Sequence, residues 1–289
     1  MQNSIKIAVF DFDYTIINAN SSTFLNKLVI EAEFLEKKQP IRTPSIAELN
    51  RFKYPEEVEK YRDERNFTLL YQQIFRYMYN KYGINKQKME KCLKEIRISE
   101  SMKNLFKVLN ENGFELMIVS DSNTFVIEKI IEQNNLTEFF GNRIFANQVD
   151  FDSDGQVTIL PCIDVKKFDR LNCVKDTCRE NICKRFVIDS FLSKKIGFTK
   201  QIIYVGDGKI DFCAGVGLRN CDIFFLNKIN HLYTFNCLNC LLPITQWSWI
   251  FDISLVETIS IFFHKSDDQW NRMTQSCPDI SFIQLKEAT

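Results

Sequence analysis

An apolar run, Ile5 to Phe10, ends in Asp11-Phe12-Asp13, and no other stretch constrains this chain so much. The run has the character of a β-strand, and it delivers two carboxylates, two residues apart, at its carboxyl end. Residues two apart in an extended segment project to the same side, so Asp11 and Asp13 can address one reacting group. That spacing suits a nucleophile with a general acid/base beside it. Like charges so close oppose each other's ionisation unless a cation or hydrogen-bond donors compensate, which implies a site for a hard divalent metal. An isolated D-x-D is more often a turn cap and a solvated loop residue. Here the preceding strand and the partners downstream reverse that preference.

At 289 residues the chain can bury one large core, or one core with a smaller appended domain. Lysine plus arginine equals aspartate plus glutamate at 37 each, so no overall field favours nucleic acid or an anionic membrane. The 26 phenylalanines point to a well-filled interior. No run approaches the roughly 18 to 20 apolar residues of a membrane span, and Met1–Asn3 lead straight into a strand without a signal-like apolar region. The expectation is a soluble, cytoplasmic protein with reduced thiols. Its oligomeric state is not legible.

Along the chain, a polar turn with an N-cap signature (Asn18 to Ser22) precedes apolar residues at helical spacing from Thr23 to Lys38. A proline-bearing loop follows. Phe67, Leu70, Tyr71, Ile74, Phe75 and Met78 form one helical stripe, read as packed core. Residues 18–97 are thus expected to be a helical cap inserted over the first strand's carboxyl end, able to exclude water from a reacting group. Residues 1–17 and 98–265 would form the core domain and 266–289 a tail. A helix from Ser101 to Asn112 stops at Gly113, and the strand Phe114 to Val119 then delivers Ser120-Asp121-Ser122-Asn123. After a helix from Thr124 to Asn134, two strands flank Asp152-Ser153-Asp154-Gly155, read as a hairpin turn rather than a calcium loop. Lys184 opens another helix. The strand Gln201 to Val205 delivers Gly206-Asp207-Gly208-Lys209-Ile210-Asp211, and Cys221 to Leu226 is a fourth strand.

Apolar strands that end in polar clusters, with helices between them, predict a Rossmann-like, doubly wound parallel α/β sheet with an inserted helical cap. Ligands gather at the carboxyl ends of such strands. Asp11, Asp13, Ser120, Asp207 and Asp211 would meet there, and acids with a hydroxyl and a lysine suit Mg2+ and a phosphate. Cys162, Cys173, Cys178 and Cys183 lack the two-residue knuckle of zinc ribbons, and the single C-x-x-C, Cys237 to Cys240, has no second pair, so a zinc module is the lesser reading.

The order D-x-D-x-T, strand-end serine, helix-opening lysine and G-D-G-x-x-D resembles the haloacid dehalogenase superfamily of aspartate-nucleophile phosphatases. More narrowly, Phe10 to Ile17, Asn20-Ser21, Val119 to Asn123, Cys178 with Asn181-x-Cys183-Lys184, and Tyr204 to Gly208 are similar to the phosphoethanolamine/phosphocholine and pyridoxal-phosphate phosphatase family, over roughly Ile5 to Phe251. The resemblance implies that Asp11 attacks phosphorus, that Asp13 protonates the leaving oxygen and then activates water, and that Thr15 helps hold Asp13. It implies that Ser120 and Lys184 contact the phosphoryl group and that Asp121 faces the substrate's amino head group. Mg2+ would be held by Asp11, Asp207 and the Asp13 carbonyl, with Asp211 among its ligands or just behind them. The implied substrate is a small phosphorylated metabolite such as phosphoethanolamine, phosphocholine or pyridoxal 5′-phosphate.

Four departures bear on this. Ser22 stands where the family usually has an acid, which removes a counter-charge from the substrate pocket. Ile210 replaces a hydrogen-bonding residue and is expected to loosen Asp211. Ala214 stands in place of a proline, and the cap is longer around residues 40–62. The expectation is retained phosphatase chemistry with an altered or broadened substrate. The alternative is a catalytically weak or inactive member that binds a phosphorylated ligand or a protein partner.

Overall fold

A computed structural model describes residues 4–63, 65–164, 179–195, 198–218 and 222–226. β1 (Ser4–Phe10) lies inside a six-stranded sheet of order β4-β3-β2-β1-β5-β6. β2 (Phe114–Asn123) and β5 (Phe198–Gly206) flank it in parallel, and β3 (Ile144–Phe151) and β6 (Ile223–Leu226) extend the parallel array on either side. β4 (Val157–Leu160) closes one edge antiparallel to β3. The expected α/β class with a parallel sheet is therefore observed, with one antiparallel edge.

Strands buried on both faces read as near-continuous apolar runs, and β1 does so from Ile7 to Phe10. Ile5, Ile7 and Val9 join Met117, Val119, Ile202 and Tyr204 in one core, while Ala8 and Phe10 join Leu116, Ile118, Ile203 and Val205 in the other. α7 (Glu100–Glu111), α8 (Thr124–Gln133) and α9 (Thr137–Phe140) cover the Phe10 face. α10 (Lys184–Ser193) and α11 (Phe212–Val216) cover the Val9 face. Helices on both faces are what doubly wound means in physical terms.

Between β1 and α7 lie α1 (Ser21–Phe24), α2 (Asn26–Glu36), α3 (Ile46–Arg51), α4 (Glu56–Glu59), α5 (Thr68–Tyr82) and α6 (Lys86–Leu93). The single helix expected from Thr23 begins earlier and breaks at Leu25, because the Asn20 side chain accepts from the Thr23 amide at 2.9 Å and fixes the start at Ser21. In α5 the predicted stripe is packed as expected: Leu70, Ile74, Phe75 and Met78 are buried, and Gly83 at φ 59° ends the helix. α5 also covers the sheet edge, since Gln72 Oε1 accepts from the Ile159 amide at 2.8 Å and Arg76 Nε donates to the Val157 carbonyl at 3.3 Å.

Asp152 Oδ1 accepts from the amides of Asp154 and Gln156 at 3.0 and 2.8 Å, so these acids build the hairpin turn. β2 continues four residues past the expected end at Val119 because Asn147 of β3 donates to the carbonyls of Asp121 and Ser122 at 2.7 and 2.9 Å. Among the described residues, no helix is long and apolar enough to cross a membrane. Cys162 carries a free thiol. Cys173, Cys178, the Cys237 to Cys240 pair, the expected core beyond 226 and the 266–289 tail lie outside the described residues.

Phe106 of α7 is fully buried, edge-on to Phe10 at 5.2 Å and to Phe140 at 5.1 Å between ring centroids. Phe106→Ala is expected to cost about 3–5 kcal/mol in urea denaturation, through lost burial and the cavity left behind. A loss below about 1 kcal/mol would show that the two layers do not meet at this ring.

Candidate active site

The Asp11 amide donates to the Val205 carbonyl at 2.8 Å, carrying the β1–β5 ladder one residue past the strand. Its carboxylate accepts from the Phe12 amide at 2.7 Å, and the other oxygen lies 2.9 Å from Lys184 Nζ. Lys184, the first residue of α10, has a side chain only 1% exposed and also reaches Asp211 at 2.6 Å. Asp211 is wholly buried. Its Oδ1 also accepts from the Tyr204 hydroxyl at 2.5 Å, and its Oδ2 accepts from the Gly208 amide at 2.9 Å. Three donors thus fix Asp211, so the weak orientation expected from Ile210 does not occur. A Cβ on Gly206 would stand 2.4 Å from Asp211 Cγ, and only glycine permits that approach.

Carboxylate oxygens of Asp11, Asp207 and Asp211 lie within 4.8 Å of one another. Asp11 is pushed well above the usual carboxylate range by burial, against the pull of Lys184 and with the further push of Asp211 and Asp207. Burial, then Asp211, raises Asp207 to about 6. For Lys184 burial alone would lower the pKa, but Asp11 and Asp211 outweigh it and hold the ammonium charged. One lysine among so many carboxyls leaves an excess of negative charge, and hard oxygen donors this close fit a divalent cation.

Asp13 follows Phe12 at the start of a tight turn. Tyr14 adopts φ 55°, a left-handed conformation costly for a residue with a side chain. The turn is held by its amide donating to the Ala19 carbonyl at 3.2 Å and its hydroxyl accepting from Asn50 Nδ2 at 3.1 Å. Asp13 Oδ1 accepts from the Ser21 amide at 2.9 Å; desolvation nevertheless raises its carboxyl to about 7, with the Ser21 hydrogen bonds opposing.

Thr15, expected to hold Asp13, donates to Asp207 at 3.2 Å. The turn that swings Asp13 toward Ser21 leaves the buried Thr15 hydroxyl facing the Gly206–Gly208 loop instead. Ser120 is fully buried at the end of β2, and its hydroxyl accepts from the Ser122 amide at 3.2 Å. Asp121 is partly buried; its charge helps raise Asp11, Asp13 and Asp207, which places it in the same cleft. Ser22 is buried.

Lys184 thus joins Asp11 to Asp211 by direct contacts, and Asp207, bonded to Thr15, brings its carboxylate within 4.8 Å of theirs. Asp13 and Asp121 share the cleft through charge, and Ser22 lies to the side, near Tyr71. Sequence reasoning missed several partners. Ser21 anchors Asp13 and shares its hydroxyl with Ser122 at 2.9 Å. Tyr204 entered only as a strand residue at the head of the Tyr204 to Gly208 motif, with no bonding role, and Tyr71 as packed core. Arg179, with Nε 3.6 Å from Asp121 Oδ2, carried no signal at all. The hydroxyls at 71 and 204, on otherwise apolar faces, were the clues available.

Comparison with known proteins gives the family. A family model described as Putative Phosphatase matches residues 6–239. The chain is 30% identical to "Probable phosphatase phospho2" of Xenopus tropicalis, covering 75% of this chain and 81% of that protein. It is 29% identical to human pyridoxal phosphate phosphatase PHOSPHO2 (77% and 82% covered) and 28% identical to the phosphoethanolamine/phosphocholine phosphatase of Gallus gallus (77% and 74%). The chain belongs to the family described as Putative Phosphatase and is a phosphatase.

Proposed function

We propose that the chain is a Mg2+-dependent phosphomonoesterase that hydrolyses a small phosphorylated metabolite through a phosphorylated Asp11, with residues 18–97 serving as its cap. The observation that carries this reading is the buried Lys184 bridging Asp11 and Asp211, beside a third carboxylate, Asp207. Such an arrangement holds a nucleophilic carboxylate in place and leaves charge for a cation to balance.

Asp11 attacks phosphorus, and the bond to the leaving oxygen breaks as Asp13 delivers its proton. A carboxyl whose pKa is raised to about 7 carries that proton at neutral pH. Asp13, now ionised, takes a proton from water, whose oxygen attacks the phosphorus and returns Asp11 with release of inorganic phosphate. Bound Mg2+ would be held by Asp11, Asp207 and the Asp13 carbonyl, and it supplies charge neutralisation for the phosphoryl oxygens. Lys184 holds Asp11 in place, and Asp211, whose oxygens are taken by Lys184, Tyr204 and the Gly208 amide, buttresses that lysine from behind. The Ser120 hydroxyl donates to a phosphoryl oxygen. The names of the human and chicken relatives make phosphoethanolamine, phosphocholine and pyridoxal 5′-phosphate the starting panel.

Phosphate release from this panel is expected to require Mg2+, to stop on chelation, and to fall to background in Asp11→Asn. Release by Asp11→Asn at the parental rate would exclude Asp11 as nucleophile. Gly206→Ala, which drives a methyl group into Asp211, is expected to lower kcat and to cost about 1–3 kcal/mol in denaturant unfolding. Unchanged kcat in that variant would separate Asp211 from the chemistry.

A further inference from the structure

The wall of the cleft beyond the phosphoryl site runs from Ser22 through Tyr71 and Phe67 to Arg179 and Asp121. The Tyr71 ring lies 6.1 Å from that of Phe67. The Arg179 guanidinium covers the Phe67 face at 4.6 Å, while its Nε stands 3.6 Å from Asp121 Oδ2, too long for a hydrogen bond. That Nε is buried and has no hydrogen-bond partner, whereas the side chain as a whole is 28% exposed. The cation is therefore balanced by Asp121 but not saturated with acceptors.

Its position is fixed from both sides. The next residue, Glu180, donates its amide to the Arg65 carbonyl at 2.6 Å, and its carboxylate pairs with the Arg65 guanidinium at 3.0 Å. Asn181 donates to Asn147, which in turn holds the carbonyl of Asp121.

A cationic head group needs either an unpaired carboxylate or an open aromatic face. This wall offers neither: Ser22 is neutral, Asp121 is already faced by a cation, and the Phe67 ring is taken by that same guanidinium. An ammonium entering here meets a like charge. An anionic oxygen meets the part of the guanidinium that remains exposed, and a planar guanidinium fork is the geometry that binds carboxylates best.

We propose that Arg179 sets the specificity of the leaving-group end, selecting phosphomonoesters whose alcohol carries a carboxylate over those carrying an ammonium. This rests on the phosphomonoesterase reading for the placement of the phosphoryl group, and it concerns the opposite end of the same ligand.

The test is calorimetric binding of 3-phosphoglycerate, glycerol 3-phosphate and phosphocholine, with Mg2+, to Asp11→Asn protein with and without Arg179→Gln or Arg179→Lys. 3-Phosphoglycerate is expected to bind at least about tenfold more tightly than the other two. Arg179→Gln is expected to erase that ratio, and Arg179→Lys to restore part of it. A merely structural role for Arg179 would weaken all three esters alike. Equal affinities, tighter phosphocholine binding, no binding, or a ratio insensitive to Arg179→Gln would overturn the proposal. Phosphate release from the same esters by the unaltered protein reports separately on catalysis: selective binding without release would count against the phosphatase mechanism alone.

Discussion

The Lys184 ammonium, buried between Asp11 and Asp211, is the interaction on which the site depends. Burying a cation is costly unless carboxylates compensate, and burying either carboxylate is costly without the cation. None of the three can therefore be placed alone. β1 must bring Asp11, the turn after β5 must bring Asp211, and the start of α10 must bring Lys184 to one point. The glycine at 206 follows from this, because its backbone passes where a Cβ would strike Asp211. The remaining negative charge, concentrated on Asp11 and Asp207, is what makes a divalent cation the natural complement.

Two carboxyls two residues apart are given different surroundings, which is the arrangement the proposed separation of roles requires. Asp11 is tied to a backbone amide at one carboxylate oxygen and to a lysine at the other. Asp13 is carried away from the strand by the left-handed Tyr14 and meets Ser21 at the start of α1. The strain at Tyr14 is sustained because its amide and its hydroxyl are both engaged, the latter by Asn50 of α3. The segment 40–62 thus supplies, in Asn50, a group that holds this turn.

The sheet was legible because each of its central strands is an apolar run that ends in polar residues, a pattern that burial on two faces imposes. Asp11, Asp13, Asp207, Asp211 and Lys184 were legible because strand ends and a helix start put them within reach of one crevice. Local pattern failed where a partner came from far along the chain. The bond from Thr15 to Asp207 spans the sheet and depends on the Tyr14 turn, which no periodicity reports. The extension of β2 to Asn123 depends on the Asn147 side chain from a neighbouring strand. Arg179 sits outside any periodic element, so only its neighbours in space, Phe67 and Asp121, give it meaning.

The β3–β4 hairpin links the two ends of the cleft. At its base Asn147 grips the carbonyls of Asp121 and Ser122, so the position of Asp121 is set by β3 as much as by its own strand. At its far strand, β4 presents a backbone amide and a carbonyl that Gln72 and Arg76 of α5 take up. Tyr71 precedes Gln72 on that helix and lies beside the Phe67 ring. A displacement of α5 away from the sheet must either break both bonds to β4 or take the hairpin with it. In the first case two backbone groups at an antiparallel edge lose their partners; in the second Asn147 moves and Asp121 moves with it. Tyr71 and Asp121, on opposite sides of the leaving-group end, are therefore positioned by one continuous set of hydrogen bonds, and a change in either strand of the hairpin reaches both.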